Sequence, residues 1–329
     1  MAMAAEGGRG GLRSRVVAER YAWGVVAYNV LVIVWGAMVR ATGSGAGCGN
    51  HWPLCNGQVI PVSPGVHTVI EFTHRCMTGG ATFAVIGLLV LTFRSTGKGR
   101  AARVAAVVSG VLLLNEALLG ALLVKLGYVT DNQSAGRVLV LAVHLSNTLL
   151  LLGALTMTAV LLRTGTARGV VLGARSTWSW RRVGVPGVSL LATLLVGVSG
   201  SLAALGDTLF PATSLRSAVA ADFAAGSPWL IKLRWVHPAS AAVAAVCVVL
   251  LLRWAWGGGL RPVAKVVMGL LAMQFVLGVG DVLLLAPVWL QLLHLLGADL
   301  YWVALVTLSA TVAMGMQAGT RVGGDEVRT

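Results

Sequence analysis

Charged residues are scarce in this chain of 329 residues: Asp, Glu, Lys and Arg make up 11% of it, whereas 57% is hydrophobic. A soluble domain carries about 25% charged residues, so this scarcity excludes an ordinary water-soluble fold. A helix needs about 20 mostly apolar residues to cross a bilayer. The sequence therefore predicts an all-α integral membrane protein, embedded in the lipid bilayer through eight transmembrane helices at 23–39, 67–93, 104–124, 138–162, 184–205, 232–252, 264–285 and 288–315.

No cleavable leader is expected either. No small-residue cleavage site follows a short apolar run near the N-terminus, so residues 1–20 are expected to form a disordered cytoplasmic segment and not a signal peptide. A cytoplasmic linker is expected at 166–183 and a polar cytoplasmic tail at 317–329. The remaining segments, 21–165 and 184–316, hold four predicted helices each.

Acidic residues are few: 11 Asp and Glu stand against 25 Lys and Arg, which gives a net charge of +14. The distribution of this charge argues against nucleic-acid binding. With both termini on one side of the membrane, the termini and loops of that side carry 18 of the 25 Lys and Arg. The positive-inside rule places that side in the cytoplasm. We therefore expect a multi-pass protein of the cell membrane with cytoplasmic N- and C-termini and no nucleic-acid partner.

The remaining basic residues lie mostly near the outer ends of the predicted helices. Long basic side chains at such ends can extend along apolar surface to the membrane interface. Alternatively, they can bind an anionic ligand at the outer face. These residues are Arg40, Arg75, Lys125, Arg137, Arg216, Lys232 and Arg234.

The second half of the sequence repeats the first in a weak form. Glu116 in the third predicted helix and Gln274 in the seventh both precede a glycine by four residues. Because each half has an even number of helices, both halves have the same orientation, and their symmetry axis runs along the membrane normal. The sequence thus predicts two pseudo-symmetric four-helix bundles.

Histidines give the strongest functional signal. One lies in each even-numbered predicted helix, about 10 Å below the outer face. Ionisable residues are costly inside a membrane and mark functional sites. One pair in each half is typical of bis-histidine heme ligation between facing helices, although a proton relay in a transporter uses the same residue type. The predicted iron ligands are His74, His144, His237 and His294, and the predicted contacts of the heme propionates are Arg40, Arg75, Arg137, Arg216, Lys232 and Arg234.

Glu71 precedes His74 by three residues, so both lie on one helix face, about 5–6 Å apart. The corresponding position before His237 is Arg234. This contrast predicts one reactive pocket and one electron-transfer pocket. An ion pair of Glu71 with Arg75 or Arg40 is the alternative interpretation of the same carboxylate.

Two of the four cysteines lie in the first outer loop. Cys48 and Cys55 form a C-x6-C pair, and an oxidising outer compartment permits a disulfide there. Such a bond is either structural or part of a redox cycle. Unpaired thiols are the alternative.

The stretch VRATGSGAGCGNHWPLCNG (39–57), followed by EFTHR (71–75), resembles the heme A synthase family. The resemblance extends over essentially the whole chain. It implies an oxidoreductase that oxidises a methyl group of heme O to a formyl group and so produces heme A. It also implies residue roles: substrate-heme binding by His74 and His144, heme b iron ligation by His237 and His294, catalysis by Glu71, and a first-loop disulfide between Cys48 and Cys55.

The same resemblance implies partners. These are heme O synthase, terminal oxidase assembly factors, an electron donor or acceptor and further copies of the chain in a homo-oligomer. Some family members carry a second cysteine pair in the loop between the fifth and sixth helices, and residues 206–230 have none. A diheme electron-transfer protein, or a heme or proton-coupled transporter without catalysis, remains the alternative function.

Overall fold

The computed structural model describes residues 2–97, 100–164 and 180–315. A 3-10 turn covers Ser44–Ala46 and a π-helical turn covers Trp180–Gly184. The α-helices are α1 (Ala2–Ala41), α2 (Val66–Ser95), α3 (Ala101–Lys125), α4 (Ala135–Thr164), α5 (Val185–Leu209), α6 (Leu215–Phe223), α7 (Trp229–Lys232), α8 (Val236–Gly257), α9 (Arg261–Leu283) and α10 (Val288–Ala313).

Eight helical segments within the described ranges are long and apolar enough to cross a membrane. Each overlaps one of the predicted spans, and the sixth, Trp229–Gly257, combines α7 with α8. The predicted all-α integral membrane fold is therefore confirmed.

Helix α1 begins at Ala2, much earlier than the predicted span at 23–39. Residues 2–20 are thus helical, and the structure differs from the disordered segment expected there. The apolar-run criterion finds only the part of a helix that crosses the bilayer, whereas Ala, Glu and Arg before it also favour helix. Most of the predicted linker at 166–183 and the whole predicted tail at 317–329 lie outside the described residues.

The helices pack as two groups of four spans. In the first half α1 contacts α2 and α4, and α3 contacts the same two helices. In the second half α5 contacts α8 and α10, and α9 contacts the same two. Helices α1 and α4 meet α5 and α10 where the halves join, and there the Trp302 indole donates a hydrogen bond of 2.8 Å to the Leu149 carbonyl. The arrangement agrees with two bundles that repeat one packing scheme.

The sixth span is interrupted immediately before its histidine. Pro238 is the third residue of α8 and has no N–H to donate to the preceding turn. The chain passes from α7 to α8 through tighter bonds, from the His237 amide to the Arg234 carbonyl at 3.2 Å and from the Val236 amide to the Leu233 carbonyl at 3.1 Å. Arg234 therefore lies in a tight turn and not within a regular helix.

The first outer loop is folded against the start of α2. Cys48 and Cys55 form a disulfide, as predicted, and both are essentially inaccessible, at 0% and 1% exposure. The Gly47 backbone lies so close to α2 that a Cβ there would be 2.4 Å from the His67 carbonyl oxygen. Thr68 Oγ1 donates to the Gly47 carbonyl at 2.8 Å. The loop is therefore held at a defined place above the first bundle.

We expect Cys48 and Cys55 to resist alkylation in protein that is denatured without reductant, and both to react after reduction, because a disulfide sulfur is not a nucleophilic thiolate. Peptide mass spectrometry measures this. Cys48→Ser is the matched control and should release Cys55 for labelling. Labelling of both cysteines before reduction would contradict the disulfide.

Candidate functional site

His237 and His294 come together in the second half. Their ring centroids are 6.3 Å apart and their planes are perpendicular. Two metal–nitrogen bonds of about 2 Å, each extended by the radius of an imidazole ring, span about 6 Å. The spacing therefore fits one metal atom between the two rings.

The His237 ring is oriented by α5. Its Nδ1 lies 3.2 Å from the Val196 carbonyl and 3.3 Å from Ser199 Oγ, which is also 2.9 Å from Ser240 Oγ. A proton on Nδ1 can be donated to these oxygens, which leaves Nε2 with its lone pair available for a metal. The sequence analysis did not identify Ser199 or Val196.

A glycine on the preceding spanning helix faces each of the four histidines. The distances from the position of an added Cβ to the histidine Cε1 show how closely the backbone approaches each ring. They are 3.0 Å for Gly36 and His74, 4.0 Å for Gly120 and His144, 2.8 Å for Gly200 and His237, and 3.3 Å for Gly278 and His294. At Gly36, Gly200 and Gly278 an added Cβ would press on the imidazole, whereas at Gly120 it would only reach ordinary van der Waals contact.

Three of these imidazoles bury a nitrogen that has no hydrogen-bond partner among the described residues, namely Nδ1 of His74, His144 and His294. Leaving a buried polar atom unpaired costs about 1–3 kcal/mol. Repetition of this cost in both halves points to a function of the rings. A metal at Nε2 would not pair these Nδ1 atoms, so the fit to bis-histidine heme ligation rests on the 6.3 Å spacing of His237 and His294 and on the glycine cradle, which is formed by the glycines that face the rings.

The first-half pair lies beside a polar network between α3 and α4. The Glu116 carboxylate lies 3.5 Å from His144 Nδ1 and accepts hydrogen bonds from Asn147, at 2.5 Å, and from Thr148. The sequence analysis noted Glu116 in the repeat but assigned it no partner.

Glu71 is directed to the outer loop. It is 3% exposed, accepts a 2.7 Å hydrogen bond from the Cys48 amide and forms an ion pair with Arg75. Arg75 in turn donates to the carbonyls of His51 and Leu54, each at 2.5 Å. Glu71 and Arg75 thus bind the disulfide loop to α2, as the ion-pair alternative predicts, one turn before His74.

In the second half, Arg234 likewise binds neighbouring elements to the start of the histidine-bearing helix. It forms ion pairs of 2.8 Å with Asp207 at the end of α5 and 2.7 Å with Asp222 in α6. It also donates to the Ala218 carbonyl. The predicted contrast between a carboxylate in one half and a cation in the other is therefore reduced, because an arginine–carboxylate pair lies near the histidine of each half. Neither aspartate was predicted as a partner, since Asp207 and Asp222 precede Arg234 by 27 and 12 positions.

The other predicted propionate contacts lie in different environments. Arg40 crosses to the second half, where it donates to the Ala204 carbonyl at 2.9 Å, Thr208 at 3.1 Å and Gln291 at 3.2 Å. Arg137 and Lys232 donate to carbonyls of outer loops, whereas Arg216 is exposed on α6. The predicted role of these cations toward heme propionates stays a prediction.

Comparison with known proteins finds related sequences. The sequence profile of the cytochrome oxidase assembly protein family matches residues 19–306. A protein of Thermus thermophilus named protoheme IX farnesyltransferase is 41% identical over 303 residues, which cover 88% of this chain and 48% of that protein. The chain thus spans about half the length of this relative.

Shorter matches involve proteins named heme A synthase. The one from Shouchella clausii is 42% identical over 115 residues, which cover 35% of this chain and 36% of that protein. The one from Alkalihalophilus pseudofirmus is 34% identical over 132 residues, which cover 40% of this chain and 42% of that protein.

Gly200→Ala should displace the His237 ring, because the new Cβ would lie 2.8 Å from Cε1. Overpacking of this kind costs about 1–3 kcal/mol. We expect a lower content of low-spin heme per purified chain, measured by absorption spectroscopy. Gly187→Ala on the same helix is the control, since no atom of the described residues lies within 4 Å of its Cβ position. Equal heme content in wild type and Gly200→Ala would contradict the cradle.

Proposed function

Because this chain belongs to the cytochrome oxidase assembly protein family, we propose that it is a heme A synthase. The proposed enzyme is an oxidoreductase of the cell membrane that converts a methyl group of heme O to a formyl group, through two successive oxidations at one carbon. The observation that carries the proposal is the pairing of His237 with His294 in the second half, together with a glycine that faces each of the four histidines at equivalent places of a repeated bundle. The relatives named heme A synthase support it.

The two halves have different tasks in this proposal. His74 and His144, in the half at 21–165, bind the substrate heme O. His237 and His294, in the half at 184–316, hold heme b, which supplies one-electron transfer that the side chains of the protein lack. Both sites lie near the outer face, with the termini in the cytoplasm.

Glu71 is the proposed catalytic residue. It lies one turn before His74, and the Cys48 amide and Arg75 fix its position. A fixed carboxylate can accept a proton from the reacting carbon or stabilise positive charge that develops there. Its attachment to the loop of Cys48 and Cys55 connects any movement of that loop with the position of the carboxylate.

The substrate and product imply partners. A Thermus relative that contains a counterpart of this chain is named for farnesyl transfer to protoheme IX, which supports a link to a heme O synthase that supplies the substrate. Terminal oxidase assembly factors would receive heme A, and an external electron partner would complete the oxidations. Association into a homo-oligomer is compatible with the broad apolar surface.

The structure offers less support for a transporter. Such proteins place broken helices at the membrane midplane in matching positions of their repeats. The break between α7 and α8 lies near the outer end of the sixth span, and the corresponding α2 is continuous from Val66 to Ser95. A diheme electron-transfer protein remains the alternative function. The measurement of heme A accumulation described next distinguishes it from a heme A synthase.

We expect heme A to accumulate in membranes that contain this chain together with a heme O source, as measured by chromatography of extracted pigments. Glu71→Gln should lower the ratio of heme A to heme O at unchanged heme b, because the amide keeps the size of the carboxylate without its charge. Arg75→Gln is the control for loop anchoring. Heme O that stays unchanged in wild type would favour the electron-transfer alternative, and a wild-type ratio in Glu71→Gln would make Glu71 an anchor only.

Replacing His237 or His294 with Ala should abolish a low-spin b-type absorbance, since each variant lacks one axial ligand. His74→Ala and His144→Ala should retain that absorbance. Reduced-minus-oxidised spectra of the purified variants measure it. Full retention in both His237→Ala and His294→Ala would refute the ligand assignment.

A further inference from the structure

Glu116 is a partly buried carboxylate that the proposed function has not used. It lies in α3, and donors on α4 hold both of its oxygens. Asn147 Nδ2 donates to Oε2 at 2.5 Å, and Thr148 Oγ1 donates to Oε1. Asn115 Nδ2 donates to Asn147 Oδ1 at 2.8 Å and so supports Asn147 in turn. The network fixes the carboxylate in one place between the two helices.

The fixed carboxylate is next to a histidine ring. Glu116 Oε1 lies 3.5 Å from His144 Nδ1. This distance exceeds a hydrogen bond of about 2.7–3.2 Å but lies within the limit of about 4 Å for an ion pair. His144 Nδ1 is buried and has no hydrogen-bond partner in the described part of the chain, so the carboxylate provides the ring with an acidic neighbour within ion-pair distance.

The repeat provides an internal comparison. Gln274 occupies the equivalent position on α9, four residues before Gly278, as Glu116 precedes Gly120. In the amide orientation that satisfies both side-chain atoms, its nitrogen donates to the His294 carbonyl at 3.1 Å and its oxygen accepts from the Ala298 amide at 3.2 Å. The neutral side chain therefore bonds to the backbone of α10 and leaves His294 Nδ1 without a partner among the residues that the structure describes.

We propose that Glu116 is a positioning residue for the heme of the first half. The inference rests on the proposed function, in which His144 binds that heme. A carboxylate next to the outer nitrogen of an iron-bound imidazole orients the ring and makes it a stronger electron donor. A stronger donor stabilises oxidised iron, so the reduction potential of the first-half heme is lower than it would be with an amide.

This assignment gives the two pockets a chemical difference. The outer arginine–carboxylate pairs are similar in both halves, whereas the position four residues before the cradle glycine carries a charge only in the first half. A heme that is oxidised at its own substituent and a heme that transfers electrons need different potentials. Glu116 and Gln274 provide a difference of that kind.

The test is Glu116→Gln, which copies the residue of the second half and is therefore compatible with the fold. The full-length chain is purified, titrated with hemin and examined by potentiometric titration. His74→Ala and His237→Ala identify which heme belongs to which half. We expect the potential of the His74-dependent heme to shift upward in Glu116→Gln, and that of the His237-dependent heme to stay constant.

Ser109→Ala is the matched control. It removes a buried hydroxyl of α3 that donates to the Ala105 carbonyl and takes no part in the Glu116 network, and it should leave both potentials unchanged. Two bound hemes with unchanged potentials in Glu116→Gln would overturn the role of Glu116 alone. An equal shift of both hemes, or the same shift in Ser109→Ala, would overturn it as well. Absence of a His74-dependent heme from the wild-type chain would overturn the proposed function together with this inference.

Discussion

A polar side chain inside a bilayer needs a partner, because no water is present to replace one. This constraint accounts for the outer face of the molecule. Arg75 binds Glu71 and the first loop, and Arg234 binds Asp207 and Asp222 around the third outer loop. Each loop so bound lies at the end of a bundle where the histidine-bearing helix α2 or α8 begins. The ion pairs therefore determine where the loops lie relative to the two pockets.

The histidines are the exception to this constraint. Their rings are largely enclosed, yet three of the four bury a nitrogen that finds no hydrogen-bond partner within the described ranges. Glycines of the neighbouring helices leave room for His74, His237 and His294, so close packing of glycine against imidazole occurs in both halves. A bond from each Nε2 to heme iron would give these enclosed rings a function, and Nδ1 would remain the outer nitrogen on which a neighbour such as Glu116 acts. The sequence repeat then explains why a histidine site occurs in each half. Glu116 explains how the sites of the two halves can differ.

Sequence reasoning identified the features that depend on local pattern. Apolar runs located the eight spans, and the C-x6-C pair in the outer loop indicated the disulfide. The helical extension of α1 was not predicted, because a polar segment at a membrane surface can be either helical or irregular. Pro238 indicates the break before α8. Because this proline lies within an apolar run, no break was predicted there.

Contacts between distant residues were not predictable from one sequence. Arg40 binds Ala204 and Gln291, which are separated from it by 164 and 251 positions. The glycine cradles had a partial signal, the shared spacing of Glu116 and Gln274 to the following glycine, but only the packed helices show that those glycines face imidazoles. The Glu71 contacts illustrate the same limit, since the Cys48 amide is brought to the carboxylate by a folded loop.

The central claim is that the four intramembrane histidines form two heme sites, one in each half. Stoichiometric titration of the heme-depleted, purified chain with hemin tests it most directly, with formation of low-spin heme as the signal. The account predicts saturation at two hemes per chain, and at none when all four histidines are replaced with alanine. Saturation at one heme, or low-spin binding that persists without the four histidines, would contradict it.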